Sequence, residues 1–225
     1  GATAWGGNSN ATGEPAVAVG AFAQATADQT LAVGTGAQAT VIGAQAFGIG
    51  ANAAADRALA VGGGSQATGA TSMAAGTEAL GSGQTSLALG YRSAATNTLT
   101  TATGGWNDSN ANGVVDANEV TLASGQGAIA IGPAAQSTQS GTISIGADST
   151  ATAQASTAGG TVAHATGVGS AAFGFDASAT QQAALALGGG SRATATNSTA
   201  VGTLAQAQAG NTIAIGFQSN TLATD

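Results

Sequence analysis

The sequence predicts an all-β chain, a parallel solenoid wound in coils of 14 residues, and three observations carry that prediction. Glycine recurs in one register at positions 6, 20, 34, 48, 62, 76, 90 and 104, and again at 132, 146, 160, 174, 188, 202 and 216. The residue two before each of these glycines is Ala, with Ser144 the one exception. On both sides of the glycine, side-chain character alternates with a period of two, which is strand periodicity.

Each repeat reads as two short strands of roughly five residues with turns between them. The first runs up to the glycine. Large apolar residues usually flank its Ala, as with Leu31 and Val33, Leu87 and Leu89, Ile129 and Ile131, or Ile213 and Ile215. A strand apolar on both faces is one buried on both. The second strand starts three residues after the glycine with Ala or Ser (Ser9, Ala23, Ser191, Ala205, Ser219). Two residues on it is mostly Ala again (Ala25, Ala39, Ala151), with Gln between these columns and Thr after them. Its inner face is small and its outer face polar. Alanine favours helix, but a glycine every 14 residues would interrupt one at about 1 kcal/mol each. Gly48 is an ambiguous register mark, because Phe47-Gly48-Ile49-Gly50 admits Gly50 almost as well.

Units of this kind bury their faces by stacking into a solenoid. The large apolar pair is expected inside the thin coil against the Ala/Ser column, which leaves the Ala column two before each glycine as a stripe on the outside. The opposite facing, with the large residues toward partner chains, is the alternative. Either leaves apolar surface that a monomer should not expose, so closed self-association is expected.

Composition narrows function. Charged residues are 6% of the 225, where about 25% is usual. The basic residues are Arg57, Arg92 and Arg192, against ten carboxylates, for a net charge of -7. That balance excludes a phosphate-binding face for nucleic acid and electrostatic docking on an anionic membrane. Without lysine there is no Walker-type loop, and without cysteine no disulfide or thiolate chemistry. No apolar run of about 18 residues is present to span a membrane. No signal peptide or anchor segment is recognisable either, and the ends read as boundaries within something longer.

The array is interrupted once, which divides the chain into repeats over 1–104, an inserted loop over 105–125 and repeats over 126–225. The loop contains Trp106-Asn-Asp-Ser-Asn-Ala-Asn-Gly-Val-Val-Asp-Ala-Asn-Glu119. Counted from Asp108, this puts Asn110 at position 3, Asn112 at 5, Gly113 at 6, the Val114 carbonyl at 7, Asp116 at 9 and Glu119 at 12. That is the spacing of an EF-hand-type calcium loop, although the flanks are not helical. A structural Ca²⁺ held by Asp108, Asn110, Asn112, Val114, Asp116 and Glu119 is one expectation, and a metal-free polar loop is the other.

The units Asn211-Thr-Ile-Ala-Ile-Gly216, Asn197-Ser-Thr-Ala-Val-Gly202 and Ser86-Leu-Ala-Leu-Gly90 resemble the NSVAIGxxS repeat of YadA-like heads. Those heads belong to trimeric autotransporter adhesins of Gram-negative bacteria. The resemblance covers nearly the whole chain outside the insertion. It implies a left-handed parallel β-roll assembled as a homotrimer, with a coiled-coil stalk and an outer-membrane barrel beyond these residues. It also implies a surface-exposed adhesin that binds host matrix proteins such as collagen, fibronectin or laminin. NSVAIGxxS units have been tied to collagen binding in the family; carried over, the matching positions are Asn211, Ile213, Ile215, Gly216 and Ser219.

Other readings stand beside this one. The rod could be a spacer with no ligand of its own. The Thr ladder could meet ice, but Gln and mixed residues flank it. The Gly34-Thr-Gly-Ala-Gln-Ala39 and Gly48-Ile-Gly-Ala-Asn-Ala53 stretches imitate a dinucleotide fingerprint, which the repeat already explains. His164, in the outward Gln-rich column, reads as a solvated residue. No nucleophile or base can be placed beside it, so no enzyme is expected. Trp5 is expected to fill an apolar repeat position and Trp106 to cover the base of the insertion.

Overall fold

A computed structural model describes residues 1–222; the last three residues of the expected segment 126–225 lie outside them. The chain forms two compact units, Gly1–Gly105 and Trp106–Asp225. No helix occurs among the described residues.

Within each unit, short strands alternate between two parallel sheets. One sheet is built from strands that end just before the column glycine, such as Ala16–Val19 and Leu87–Leu89 in the first unit and Ile129–Ile131 and Ile213–Ile215 in the second. The other is built from two-residue strands, such as Gln24–Ala25 and Gln66–Ala67 in the first unit and Gln136–Ser137 and Arg192–Ala193 in the second. Partners lie one repeat apart: Val17 beside Leu31 and Ala18 beside Ala32, Ile129 beside Ile143, Gln136 beside Thr150. Each unit is therefore a parallel β-solenoid of 14-residue coils. The strands are shorter than the five residues expected, because the turns take a larger share of each coil.

The turns explain the repeat's tolerance. In a typical coil the chain bends at two residues of positive φ, two and nine places after the column glycine. Phe22 (φ 59°) and Gln29 (φ 60°) do this in one coil, Asp148 (φ 54°) and Ala155 (φ 55°) in another. An L-residue held there loses roughly 1–2 kcal/mol. The coil-to-coil ladder offsets the loss: the Phe22 amide donates to the Gly7 carbonyl at 2.9 Å and the Asp148 amide to the Pro133 carbonyl at 2.9 Å.

The column glycine is a different constraint. At Gly146 (φ 131°) a Cβ would lie 2.5 Å from both the carbonyl carbon and the oxygen of Gly160. Gly48 (φ 134°) is packed on Gly62 in the same way, whereas Gly50 (φ 64°) sits in an open turn. Gly48 is the register mark.

The expected facing of the first strand is overturned. Ala18, Ala32, Ala46, Ala130 and Ala158, two before their glycines, are fully buried. So are the opposing Ala23, Ala37, Ala163 and Ala165. The large flanking residues point outward; Ile145 is 47% exposed and Trp5 77%. The interior between two sheets joined by such short turns has room for a methyl or hydroxyl group and not for Leu or Ile. Apart from Glu119, the largest fully buried side chains are Thr and Ser. Several of their hydroxyls bond locally, as Thr142 donates to the Gln139 carbonyl at 2.7 Å and Ser191 to the Gly188 carbonyl at 2.8 Å, while those of Ser72 and Ser156 have no partner among the described residues.

Gly146→Ala should lower unfolding free energy by on the order of 2–3 kcal/mol, the cost of forcing an atom into packed backbone. Gly169→Asn, at φ 64° with nothing within 4 Å of the added Cβ, should stay within about 1 kcal/mol of the parent. Guanidinium unfolding midpoints of the two variants check this, and equal losses would refute the close-approach account of the column.

Candidate functional site

The family-like unit at 211–219 is mostly coil-building. Asn211 takes the positive-φ turn (φ 59°), and its Oδ1 accepts from Asn197 Nδ2 at 3.0 Å. Thr212 Oγ1 donates to the Ala209 carbonyl at 2.7 Å, and Ala214 lies in the core. Gly216 has φ 118°, and Ser219 Oγ donates back to its carbonyl at 3.1 Å. Of the five residues carried over from the motif, Ile213 and Ile215 alone present large apolar side chains, 63% and 71% exposed.

Ile215 belongs to an outward column, one residue before the glycine, that recurs in each unit. Val61 in the first unit, and Ile131, Ile145, Phe173, Leu187 and Ile215 in the second, are all exposed on it. The outer face of the other sheet is polar. Each arginine meets a carboxylate: Arg92 with Glu78, Arg192 with Asp176 at 3.2 Å and Arg57 with Asp56 at 3.9 Å.

The insertion is organised by Glu119, which is fully buried. Gly104 and Gly132 are two repeats apart, yet only one strand of each sheet, Leu122–Ala123 and Ile129–Ile131, lies between them. One repeat's length of chain thus forms the loop. Glu119 Oε1 accepts from the Ser109 amide (3.0 Å), Ser109 Oγ (3.1 Å) and the Asn110 amide (3.3 Å). Its Oε2 accepts from Trp106 Nε1 (3.3 Å) and the Asp116 amide (3.3 Å). Burial by itself pushes this carboxyl up; the donors of Trp106, Asp116, Asn110 and Ser109 outweigh it and hold the pKa below its ordinary 4.5.

The expected calcium ligands are partly drawn together. Asp108 Oδ1 accepts from the Asn112 amide and Oδ2 from the Gly113 amide, while Asn110 and Asn112 both donate side-chain N–H to Asp116 Oδ2. Asn112 Oδ1 accepts from the Val114 amide at 2.6 Å. Glu119 accepts from the backbone amides of two of them, Asn110 and Asp116, as well as from Ser109 and Trp106. No three His, Cys, Asp or Glu side chains converge as a cation cage among the described residues. In this arrangement the donors grouped on Glu119 order the loop.

Below the insertion a cleft of about 390 Å³ opens onto the polar sheet. Ser109 and Asn118 of the loop face Gln136, Asp148, Thr150 and His164 of the coils across it, over a floor of Ala134 and Val162. Asp148 Oδ2 accepts from Asn107 Nδ2 at 2.7 Å, and Gln136 Nε2 donates to the Val120 carbonyl at 2.7 Å. His164 Nδ1 lies 2.6 Å from Thr150 Oγ1. His164 is therefore a half-buried wall of the cleft, not the solvated residue expected. The sequence reading also missed Asp148 and Gln136, because nothing in the repeat shows which coils the insertion covers.

A carboxyl held low in the fold stabilises above its unfolded pKa and stops doing so as the pH falls through the lowered value. Hydrogen exchange across residues 107–118, taken relative to the intrinsic rate at each pH, should therefore be as slow just above pH 4.5 as at neutral pH, and should quicken only well below it. In Glu119→Ala it should be fast throughout. Exchange unchanged by that substitution would remove Glu119 as the organiser.

Comparison with known proteins follows the same pattern. The family model described as the YadA head domain repeat, in two copies, matches residues 1–23, 11–37, 42–65, 53–79, 123–149, 165–191 and 193–219. No curated protein matches the chain in sequence. Among solved structures, the crystal structure of the collagen-binding domain of Yersinia adhesin YadA is 21% identical over 96% of this chain and 74% of that one, with a TM-score of 0.29. The matched repeats span well over half of the chain and coincide with its coils, so the chain belongs to the YadA head-repeat family.

Proposed function

We propose that this chain is the head of a surface-exposed adhesin of a Gram-negative bacterium, and that it works as a homotrimer of left-handed β-rolls. The observation that carries the reading is the facing of the first strand in a chain of this family. Large apolar side chains stand outward in register while the interior takes only Ala, Ser and Thr. Such a column in water favours association, and a cyclic arrangement of identical chains covers it without leaving an open end. The polar faces left outside then meet collagen, fibronectin, laminin or another host surface component, and repetition along and around the assembly multiplies weak contacts. A stalk and an outer-membrane barrel beyond these residues would hold the head at the cell surface.

Two measurements test this. Sedimentation should give a trimer for the parent and a smaller species for the double variant Ile145→Asp, Leu187→Asp, with circular dichroism retained; a stable, soluble parent monomer would sink the packing argument. The trimer should bind at least one immobilised matrix component saturably. No binding to any of them would favour a spacer that carries another tip. A Ca²⁺ ion at Asp108, Asn110, Asn112, Val114, Asp116 and Glu119 is a separate proposal, and it requires Glu119 to exchange its N–H partners for the ion. Calorimetry decides: heat of binding in the parent that Asp108→Ala loses supports the ion, and a flat titration in both removes it.

A further inference from the structure

The cleft beneath the insertion has an uneven hydrogen-bond inventory. Its framework donors are already engaged: Gln136 Nε2 with the Val120 carbonyl, Asn107 Nδ2 with Asp148, and Ser109 Oγ with Glu119. Besides the Asn118 amide and the His164 ring, what those bonds leave over are acceptors. Gln136 keeps its Oε1, Ser109 Oγ its lone pairs, and Asp148 a second carboxylate oxygen beyond the one that takes Asn107. Asp148 is the one carboxylate lining the cleft, and no arginine lines it. A volume of about 390 Å³ lies at the small end of the range for ligand pockets.

We propose that this cleft is a binding site for a cationic, donor-rich side chain, an arginine guanidinium presented by a partner protein. The guanidinium is planar, always charged and carries five N–H donors in a fixed fork. It would pair with the open side of the Asp148 carboxylate and give its remaining donors to Gln136 Oε1 and the Ser109 hydroxyl. Its flat apolar faces would rest on Ala134 and Val162. An anionic ligand meets the Asp148 charge within a chain of net charge -7. A neutral polyol needs donors as well as acceptors from the wall, where Gln136 Nε2 and Ser109 Oγ are already engaged and the Asn118 amide and the His164 ring remain. The insertion is essential to the site, since Ser109 and Asn118 form one side of it. The proposal goes beyond adhesion as such and does not depend on which matrix component, if any, is bound.

His164 is the chain's single histidine and lines the cleft, so its ring protons report on it directly. The experiment titrates the assembled protein with acetyl-Gly-Arg-Gly-amide while the His164 ring signals are followed by proton NMR. Acetyl-Gly-Gln-Gly-amide and glucose serve as neutral probes. The Arg peptide should move the signals saturably and the neutral probes should not. Asp148→Asn should lose the response, because it removes the charge; Asn also accepts the positive φ of that turn and can still accept from Asn107. No saturable shift with the Arg peptide, an equal shift with either neutral probe, or an unchanged response in Asp148→Asn would overturn the proposal. Should the variant fail to fold, the contrast between Arg and Gln peptides on the parent protein decides alone.

Discussion

Everything in either unit follows from how closely successive coils approach. Each coil hands its backbone N–H groups to carbonyls one repeat away, as when the Gly146 amide donates to the Ile131 carbonyl at 2.8 Å and the Thr150 amide to the Ala163 carbonyl at 2.8 Å. At the column glycine the approach leaves no space for a Cβ. Inside the coil it leaves space for methyl and hydroxyl groups and nothing larger. Alanines bury little apolar area each, so the ladder, at about 1 kcal/mol net per bond, carries a larger share of the cohesion than in a protein with a Leu-rich core.

The same constraint turns the usual distribution of side chains inside out. Leu, Ile, Val and Phe cannot enter the coil, so they line its outside, where burial needs a second chain. Small residues build the interior of the unit, and large residues are left to its outer surface. This also changes how the family motif should be read. Asn211, Gly216 and Ser219 look like a recognition signature, yet the first makes a turn, the second takes a positive φ of 118° and the third ties back to the glycine carbonyl. Of the unit's five motif positions, those that face outward with large side chains are Ile213 and Ile215.

The insertion solves a different problem. A loop of one repeat's length has no core of its own, and a buried carboxylate with five donors gives it a centre. An ionised carboxylate buried without partners would be costly; one surrounded by N–H and O–H groups is tolerated and orders the groups around it. The contact of Asn107 with Asp148, 41 residues along the chain, then fixes the loop over the polar sheet and encloses the cleft.

The 14-residue period, the two strands per coil and the small columns were all legible in the sequence, because each is a local consequence of backbone geometry. Glycine, Ala and the polar columns recur at the spacing that the ladder demands, and a period of two marks a strand wherever it occurs. The facing of the first strand was not legible. Ala flanked by Leu or Ile is apolar on both sides, and only the narrowness of the coil decides that Ala goes in. The surroundings of Glu119 were not legible either: the spacing from Asp108 fitted a cation loop, and only the fold gathers donors of Trp106, Ser109, Asn110 and Asp116 on its carboxylate. The cleft was invisible for a related reason. Asp148, Gln136 and His164 are ordinary members of repeating columns until the insertion folds over them, and which coils a loop covers is settled by contacts between residues far apart in the chain.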